Sequence, residues 1–355
     1  MPETESPQTL TPAQLGYRMP AEWEPHAATW LSWPRREGIS FPDSYDAVVP
    51  TLAKMVDALA DSEPVRINVR DAAEEEIVRA QLQKNRARCE HAEFFHIPTN
   101  EPWCRDHGPI FLTRDEEPRV AVVDWDYNAW GWKYPPFDHD DEVPTLVAER
   151  LGLPLYKPGI VLEGGSIDVN GGGTLLTTRS CLLNPNRNPD LTKKEIEKTM
   201  KDFLGVRKIL WLGDGIEGDD TDGHVDDLTR FVAPNVVVTA MEEDEADANF
   251  APLHENFAKL QEMKTENGTP LEILKLPMPG KIVRQGQRLP ASYANFYIAN
   301  KVVLVPVFND THDAWAISVL QTAFPKRKVV AIDCRELIWG LGAFHCLTQQ
   351  QPAVW

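Results

Sequence analysis

The side chain best suited to chemistry is a cysteine close to the end of the chain. Cys346 lies in the segment GLGAFHCLTQQQ, which we expect to run as a polar strand. Gly340 and Gly342 precede it and permit backbone angles or close approaches that a Cβ would resist. His224 could serve it, because a thiol nucleophile and its proton carrier are normally far apart in sequence. A buried, inert thiol is the alternative reading of Cys346.

A second group of candidates lies in the segment GDDTDGHVDDLTRF. His224 and Asp226 are two residues apart, so on a strand both side chains would leave the same face. An acidic surface loop would also explain this segment. Metal binding is a third explanation, but no HExxH motif or second histidine pair accompanies the two residues. We therefore expect no metal site.

Two more carboxylates occur in short motifs. Asp106 lies in WCRDHGP, just before a Gly-Pro turn, and an ion pair with Arg105 is its simplest structural role. Glu163 lies in LEGGS, directly after the apolar run 160–162. A carboxylate buried there needs a partner, or its pKa rises.

One thiol, one imidazole and at least three carboxylates occur without any phosphate-binding glycine loop, so we expect no cofactor. A planar guanidinium cation fits this set best. Carboxylates accept its N–H groups in pairs, and its burial is costly unless such partners are already in place.

The elements that must position these groups repeat five times along the chain. Each unit reads as a strand, a polar loop, a helix and a second strand. The five helices are predicted at residues 45–59, 142–151, 193–204, 253–263 and 314–324. Each unit is followed by a polar segment, and these carry Asp106, then Glu163 and Asp168, then His224 and Asp226, then Tyr293 and Asn295, and finally Cys346. If the units close around an axis, the polar segments converge at its centre.

Composition limits the classes of partner. The chain has 355 residues, of which 42% are hydrophobic, so it can bury a sizeable core. Residues 1–18 are polar and read as a disordered or loosely docked tail, with neither a signal peptide nor a membrane span anywhere in the chain. The net charge of −18 repels nucleic acid and suits a cationic ligand, although acidity also favours solubility. We expect a cytoplasmic protein with no membrane partner, and a homo-oligomer remains open.

Seven ordered segments are similar to those of the agmatine deiminase family, namely WCRDHGP, DYNAWG, VLEGGSI, LLNPNRNP, DGHVDDLTRF, SYANFYIAN and FHCLTQQQP. That family belongs with the bacterial peptidyl-arginine deiminases in the guanidine-modifying, or pentein, superfamily. The resemblance runs from about residue 19 to residue 352. It implies an α/β fold, a five-bladed α/β propeller of five pseudo-symmetric ββαβ-type units around a central active site. Residues 19–355 would form this single catalytic domain.

The resemblance also implies roles for individual side chains. Cys346 would be the nucleophile, His224 the general acid and base, Asp106 and Asp226 the holders of the guanidinium, and Glu163 a supporting group. We expect further substrate contacts from Trp103, Asp168, Tyr293, Asn295 and Trp130. The implied reaction forms a covalent thiouronium on the cysteine with loss of ammonia, and water then releases a ureido product.

The loop 124–141 bears on which guanidine is bound. It offers one lysine, Lys133, against five aspartates and several aromatic rings, which favours a substrate ending in an amine. The aspartates are Asp124, Asp126, Asp138, Asp140 and Asp141. Agmatine is therefore expected, with N-carbamoylputrescine and ammonia as products and a place in putrescine formation. Departures from the family pattern in REGISFPDSYD, at Asp168 and in GLGAFHC leave another guanidine open.

Three other classes remain as alternatives. A cysteine amide hydrolase would use Cys346, His224 and Asn295. A ring-shaped binding protein would not need the thiol, and an amidinotransferase would need an amine acceptor and would release little ammonia. Release of both ammonia and a ureido product separates a deiminase from these.

Overall fold

The computed structural model describes residues 10 to 354. The first nine residues of the predicted tail, and Trp355, lie outside the described residues. Within the described part of that tail, Tyr17 is buried, and Arg18 exchanges two backbone hydrogen bonds of 2.9 Å with Thr113. This part therefore packs against the body of the protein, while the domain boundary at residue 18 stays a prediction.

The described chain alternates strands and helices throughout. The strands are β1 His26–Ser32, β2 Val65–Val69, β3 Ala92–His96, β4 Ile110–Thr113, β5 Val120–Val123, β6 Leu155–Tyr156, β7 Ile167–Val169, β8 Thr174–Thr178, β9 Lys208–Leu212, β10 Thr229–Ala233, β11 Val236–Met241, β12 Glu272–Pro277, β13 Val283–Arg284, β14 Gln287–Arg288, β15 Tyr297–Ile298, β16 Val302–Val307, β17 Lys328–Asp333 and β18 Thr348–Pro352. The helices are α1 Tyr45–Ala60, α2 Ala72–Lys84, α3 Cys104–His107, α4 Ala129–Trp132, α5 Asp138–Leu151, α6 Arg179–Leu182, α7 Lys193–Leu204, α8 Phe250–Glu262, α9 Asp313–Ala323 and α10 Phe344–Leu347.

Five sheets share one topology. In four of them, three strands follow in chain order, β4-β5-β6, β7-β8-β9, β10-β11-β12 and β15-β16-β17. The first pair of each is antiparallel and the second pair is parallel, with a helix in the crossover. This is the arrangement that a repeated ββαβ unit requires, because parallel neighbours need a long connection.

The fifth sheet joins the two ends of the chain. Its order is β18-β1-β2-β3, and β18 runs antiparallel to β1 with Trp30 opposite Gln349. The last strand therefore completes the unit that the first strand begins. The five-bladed α/β propeller predicted from the sequence is confirmed. The first blade also carries an extra helix and strand, α2 and β3, which the repeat pattern did not predict.

The helices form largely where their sequence signals lie. Helix α7 has the predicted bounds, since Thr192 and Glu195 form a capping box and Gly205 ends the helix at a φ of +67°. Helix α5 begins earlier than predicted, at Asp138. Three aspartates in its first turn favour that start, because negative charge is stabilising at a helix N-terminus.

The core lies between the helices and the sheets. Helix α1 buries Val48, Leu52, Met55, Val56 and Leu59, which recur at helical spacing on one face and pack in the largest apolar cluster. That cluster also includes the apolar residues of β2 and β16. The blades are thus rigid supports for the loops at their inner ends. Among the described residues, no helix is both long and apolar enough to cross a bilayer.

Candidate active site

In each of the five blades, one polar segment directly precedes the strand that pairs antiparallel at the edge of the sheet. Asp106 comes before β4, Glu163 before β7, Asp226 before β10, Asn295 before β15 and Cys346 before β18. These strands are the antiparallel edge partners in their sheets. The repeated topology therefore brings five distant segments of the sequence to one region.

A single glycine shows how closely these segments approach. A Cβ added at Gly165 would lie 2.6 Å from Asp106 Oδ1, 2.7 Å from His224 Nδ1 and 3.1 Å from Asp226 Oδ2. The Gly165 amide donates a 2.9 Å hydrogen bond to Asp106 Oδ1. Groups from three blades thus surround one point, and only a residue without a side chain leaves room for them.

Cys346 lies on the short helix α10 and not on the polar strand that we expected, because the strand β18 begins only at Thr348. Asn295 holds this turn: its Oδ1 accepts the amides of His345 and Cys346, and its Nδ2 lies 3.0 Å from Cys346 Sγ. Asn295, predicted to contact substrate, thus contacts the thiol and its backbone. Burial and the charges of nearby Asp226 and Asp227 raise the pKa of Cys346 well above its usual value.

The glycines before Cys346 serve close packing. A Cβ on Gly342 would lie 2.6 Å from a ring carbon of Trp103, and one on Gly340 would lie 2.5 Å from a ring carbon of Phe41. The left-handed angle in this segment falls instead on Leu341, with a φ of +71°. The Gly-rich approach therefore presses the cysteine turn against the wall formed by Trp103.

His224 precedes a 3-10 turn, Val225–Asp227, and Asp226 lies within it, so the segment is not the strand considered for it from the sequence. Both side chains are nevertheless buried at the point of convergence, and His224 Nδ1 lies 3.7 Å from Asp106 Oδ1. Neither ring nitrogen of His224 has a hydrogen-bond partner within residues 10–354. Burial lowers the pKa of His224, but the charge of Asp106 and the contact with Cys181 raise it overall.

Asp106 is held by groups other than its neighbour in sequence. Its Oδ2 accepts a 2.9 Å hydrogen bond from Trp130 Nε1. Arg105 instead binds Gln350 Oε1 at 2.8 Å, so the Arg105–Asp106 ion pair is not formed. Burial, which nearby His224 only partly offsets, raises the pKa of Asp106 to about 6.

Glu163 has a partner for one of its two carboxylate oxygens among the described residues. Its Oε1 lies 2.5 Å from Arg187 Nε, while Oε2 is buried without a partner in the described chain. Glu163, Cys181 and His224 offer ligand atoms within 4.8 Å of one another, which is the arrangement among residues 10–354 that could hold a metal ion. The buried guanidinium of Arg187 beside Glu163 opposes a second cation at that place.

Trp130 reaches the site through a strained turn. Ala129, Trp130 and Trp132 in α4 all have positive φ, at 49°, 56° and 67°. Left-handed backbone at residues other than glycine costs free energy and tends to occur at functional sites. Here the turn directs the Trp130 indole onto Asp106.

One pocket, with a cavity volume of about 120 Å³, reaches Asp106 and Cys346. Its lining residues are Ile39, Ser40, Glu101, Trp103, Asp106, Trp130, Tyr134, Asp220, Thr221, Trp339, Gly340, Leu341, Gly342 and Cys346. Three of them are carboxylates and none is lysine or arginine. Aromatic rings supply much of the remaining wall, so the pocket favours a cation with an apolar stem.

Two predicted substrate contacts lie elsewhere. Asp168 forms a buried ion pair with Arg230 and accepts the amide of Phe231, and Tyr293 donates a 2.7 Å hydrogen bond to Asp313. Neither residue is among those that line the pocket, and their contact with substrate stays a prediction.

The acidic loop 124–141 does not line the pocket with its aspartates either. Asp140 accepts the amides of Asn100 and Glu101, and Lys133 pairs with Asp222 at 2.9 Å. Besides Asp106, the carboxylates that line the pocket are instead Glu101 and Asp220. These two carboxylates supply the negative charge that we expected from the aspartates of the loop.

A buried network behind the site was not predicted. Glu22 lies 2.8 Å from His345 Nε2 and 2.8 Å from an Arg230 nitrogen. His345 Nδ1 lies 2.7 Å from Asp226 Oδ2. Glu22 lies in none of the seven motifs, so only the folded chain reveals its part.

Comparison with known proteins agrees with this geometry. The profile of the Porphyromonas-type peptidyl-arginine deiminases matches residues 18–352. The chain is 39% identical over 372 residues to the agmatine deiminase of Pseudomonas aeruginosa, covering 97% of this chain and 98% of that protein. It is 38% identical over 375 residues to the agmatine deiminase of Ectopseudomonas mendocina, with 97% and 98% covered.

Solved structures lead to the same family. The agmatine deiminase of Enterococcus faecalis superposes with a TM-score of 0.91 at 34% identity, and the match covers 98% of this chain and 99% of that one. The agmatine deiminase of C. jejuni, solved with substrate bound, gives a TM-score of 0.85 at 30% identity over 94% of this chain and 96% of that one. Since the profile spans nearly the whole sequence and these relatives cover it from end to end, the chain belongs to the Porphyromonas-type peptidyl-arginine deiminase family.

Proposed function

We propose that this protein is an agmatine deiminase that hydrolyses the guanidinium of agmatine to N-carbamoylputrescine and ammonia. The observation that carries the proposal is the pocket: among the described residues, its lining includes a buried thiol and three carboxylates but no lysine or arginine. The agmatine deiminases among the relatives support the same substrate.

The guanidinium is held by Asp106 and Asp226. Asp226 Oδ1 is buried without a partner in the part of the chain that the structure describes, and each Asp106 oxygen accepts one hydrogen bond and keeps a further lone pair. A buried carboxylate without a partner is costly unless a cation completes it. The substrate supplies that cation, and the N–H groups of its planar fork match carboxylate oxygens.

Binding of the cation also activates the nucleophile. In the free enzyme the Cys346 thiol stays protonated, because burial and acidic neighbours raise its pKa. A guanidinium placed beside it adds a positive charge, which lowers the pKa of the thiol and releases its proton to water. The thiolate therefore forms mainly when substrate is present.

The reaction then proceeds in two halves. The thiolate sulfur bonds to the guanidinium carbon, and protonated His224 donates its proton to the departing amine, so ammonia leaves and a thiouronium remains on Cys346. Neutral His224 next takes a proton from water, and the hydroxide attacks the same carbon. The carbon–sulfur bond breaks to give the ureido product and the free cysteine. Acid–base help of this kind contributes typically about 10²- to 10⁴-fold.

The mouth of the pocket favours agmatine over a peptide ending in arginine. Glu101 and Asp220 lie among the lining residues, and a terminal carboxylate would meet their charge without a basic partner. A terminal ammonium would be attracted by both and by the aromatic walls. Ile39 and Ser40 lie on the loop that departs from the family pattern, so this loop bears on substrate choice.

A panel of three guanidines tests the proposal. Ammonia and ureido product are measured with agmatine, free arginine and a peptide with C-terminal arginine. We expect kcat/KM for agmatine to exceed the other two by at least about 100-fold, the scale of an uncompensated buried charge pair. Preference for the peptide would contradict the agmatine assignment, and ammonia without a ureido product would indicate an amidase.

A second prediction concerns the point where three blades meet. We expect Gly165→Ala to lower kcat/KM for agmatine by about 100-fold, because the added methyl would displace Asp106 and His224, and misplacement near 1 Å can cost that much. Gly172→Ala is the matched control, since its Cβ would crowd the end of the Glu266 side chain at 2.9 Å and meet Asn170 at ordinary contact distance. Equal turnover in both variants would contradict the placement of the reacting centre beside Gly165.

A further inference from the structure

His345 is buried between two carboxylates that belong to distant segments of the chain. Its Nδ1 lies 2.7 Å from Asp226 Oδ2, its Nε2 lies 2.8 Å from Glu22 Oε2, and its side chain is 2% exposed. An ionised carboxylate can only accept hydrogen bonds. Both ring nitrogens thus face carboxylate oxygens, which is the contact pattern that an imidazolium makes.

Glu22 is fixed from several sides. Its Oε2 binds Arg230 at 2.8 Å and Arg105 at 3.4 Å, and its Oε1 accepts the amide of Ile298 at 2.7 Å. Burial alone would raise the pKa of Glu22, but the charges of Arg230 and His345 lower it overall. Glu22 thus remains ionised and anchors the far side of the His345 ring.

Asp226 uses its two oxygens differently. Oδ2 accepts from His345 and lies 3.7 Å from Cys346 Sγ, while Oδ1 is buried and has no partner in the described part of the chain. The hydrogen bond from His345 prevents the carboxylate from rotating. It therefore fixes which oxygen is left for an incoming cation.

We infer that His345 and Glu22 are positioning residues, which keep Asp226 ionised and hold its Oδ1 toward the substrate guanidinium. This inference rests on the proposed function. Asp226 needs such a partner because two other acidic side chains, Asp227 and Asp106, lie near it. Without a cationic partner, a buried carboxylate among like charges takes up a proton.

Other charged or titratable groups lie around Asp226 and His345 on several neighbouring elements. They are Arg105 and Asp106 on α3, His224 and Asp227 at the 3-10 turn, Arg230 on β10, and Cys346 on α10. Arg230 is already paired with Glu22 and Asp168, and Arg105 with Glu22 and Gln350. His345 is thus the cation that contacts Asp226 directly.

The test is His345→Gln, assayed with agmatine across pH. Glutamine can donate one hydrogen bond to Asp226 but carries no charge. We expect KM at neutral pH to rise roughly 10- to 100-fold, the scale of one charge-assisted hydrogen bond, with a smaller change in kcat. The loss should shrink as pH rises, because Asp226 then deprotonates without its partner. Glu22→Gln should shift KM in the same direction by less, and it serves if His345→Gln fails to fold.

The matched control is His26→Gln. His26 is also buried and also pairs with a carboxylate, Glu63 at 2.8 Å, while its other nitrogen lies 2.6 Å from the backbone oxygen of Glu22. This change should lower thermal stability and leave KM and its pH dependence unaltered. A wild-type KM profile in both His345→Gln and Glu22→Gln, or the same KM shift in His26→Gln, would overturn the inference.

Wild-type hydrolysis of agmatine is measured before the variants. Its absence would count against the proposed function, whereas normal wild-type turnover with an unchanged His345→Gln would count against the positioning role alone. The two failures are therefore distinguishable.

Discussion

Cys346→Ala is expected to lower turnover of agmatine on the order of 10⁴-fold or more, because it removes the thiol that lines the pocket and would form the covalent bond. The same variant should still bind agmatine. Burial raises the pKa of the Cys346 thiol well above its usual value, and under the proposal Asp106 and Asp226, not the sulfur, hold the guanidinium. Ammonia release and calorimetric binding are measured on the same preparation.

Cys334→Ala is the control for that experiment. Cys334 is buried within the main apolar cluster and has no place in the pocket. Its truncation should cost stability, at ~1 kcal/mol for a small cavity, and leave turnover near the wild-type rate. Near-normal ammonia release from Cys346→Ala would remove the cysteine from the chemistry.

Asp106→Asn and Asp226→Asn should each lower kcat/KM by at least about 100-fold, equivalent to ~3 kcal/mol. Each removes a negative charge from a buried site whose ligand is a cation, and an amide also turns N–H groups toward a guanidinium that can only donate. Asp226→Asn should be the more damaging, because it also replaces the charged partner of His345 with a neutral amide. Steady-state kinetics with agmatine measure both effects.

The variant Asp126→Asn distinguishes the effect of carboxylates inside the site from that of the overall negative charge of the acidic loop. Asp126 lies on the acidic loop, is exposed and does not line the pocket. If the loop acts only through its overall charge, this change should weaken agmatine capture as the other two do. We expect less than a twofold effect, and unchanged kinetics in Asp106→Asn and Asp226→Asn would end the role of both as cation holders.

The repeated pattern of strand and helix was enough to predict the propeller, because each blade carries its own local signals. Helix α7 shows this best: Thr192, Glu195 and Gly205 mark its ends within the sequence itself. Helix α2 was missed although Asp71 caps it, since the repeat left no place for a second helix in the first blade. Local capping there was a better guide than periodicity.

The site could be predicted only as far as reactive side chains follow a repeat. The repeat pattern singled out Cys346, Asp106, Glu163 and Asp226 as candidates, because each precedes an equivalent strand. Asp168 sits in the same kind of segment but meets Arg230 from the neighbouring blade, and nothing near it in sequence reveals that partner.

The residues that contact the site side chains from behind could not be predicted either, for the same reason. Glu22 contacts a histidine that lies more than three hundred residues further along the chain. Such pairings follow from ring closure by β18 and not from local sequence. The cytoplasmic location, the division at residue 18, oligomeric state and the individual residue roles stay predictions.

The most direct measurement is the mass of the enzyme during turnover. Acid quenching of the wild type with agmatine, followed by intact and peptide mass analysis, should reveal an adduct of agmatine less one ammonia on the peptide that contains Cys346. Cys346→Ala should show none. An adduct on another residue, or active turnover in which no adduct forms under rapid quench, would contradict the claim that this sulfur attacks the guanidinium carbon.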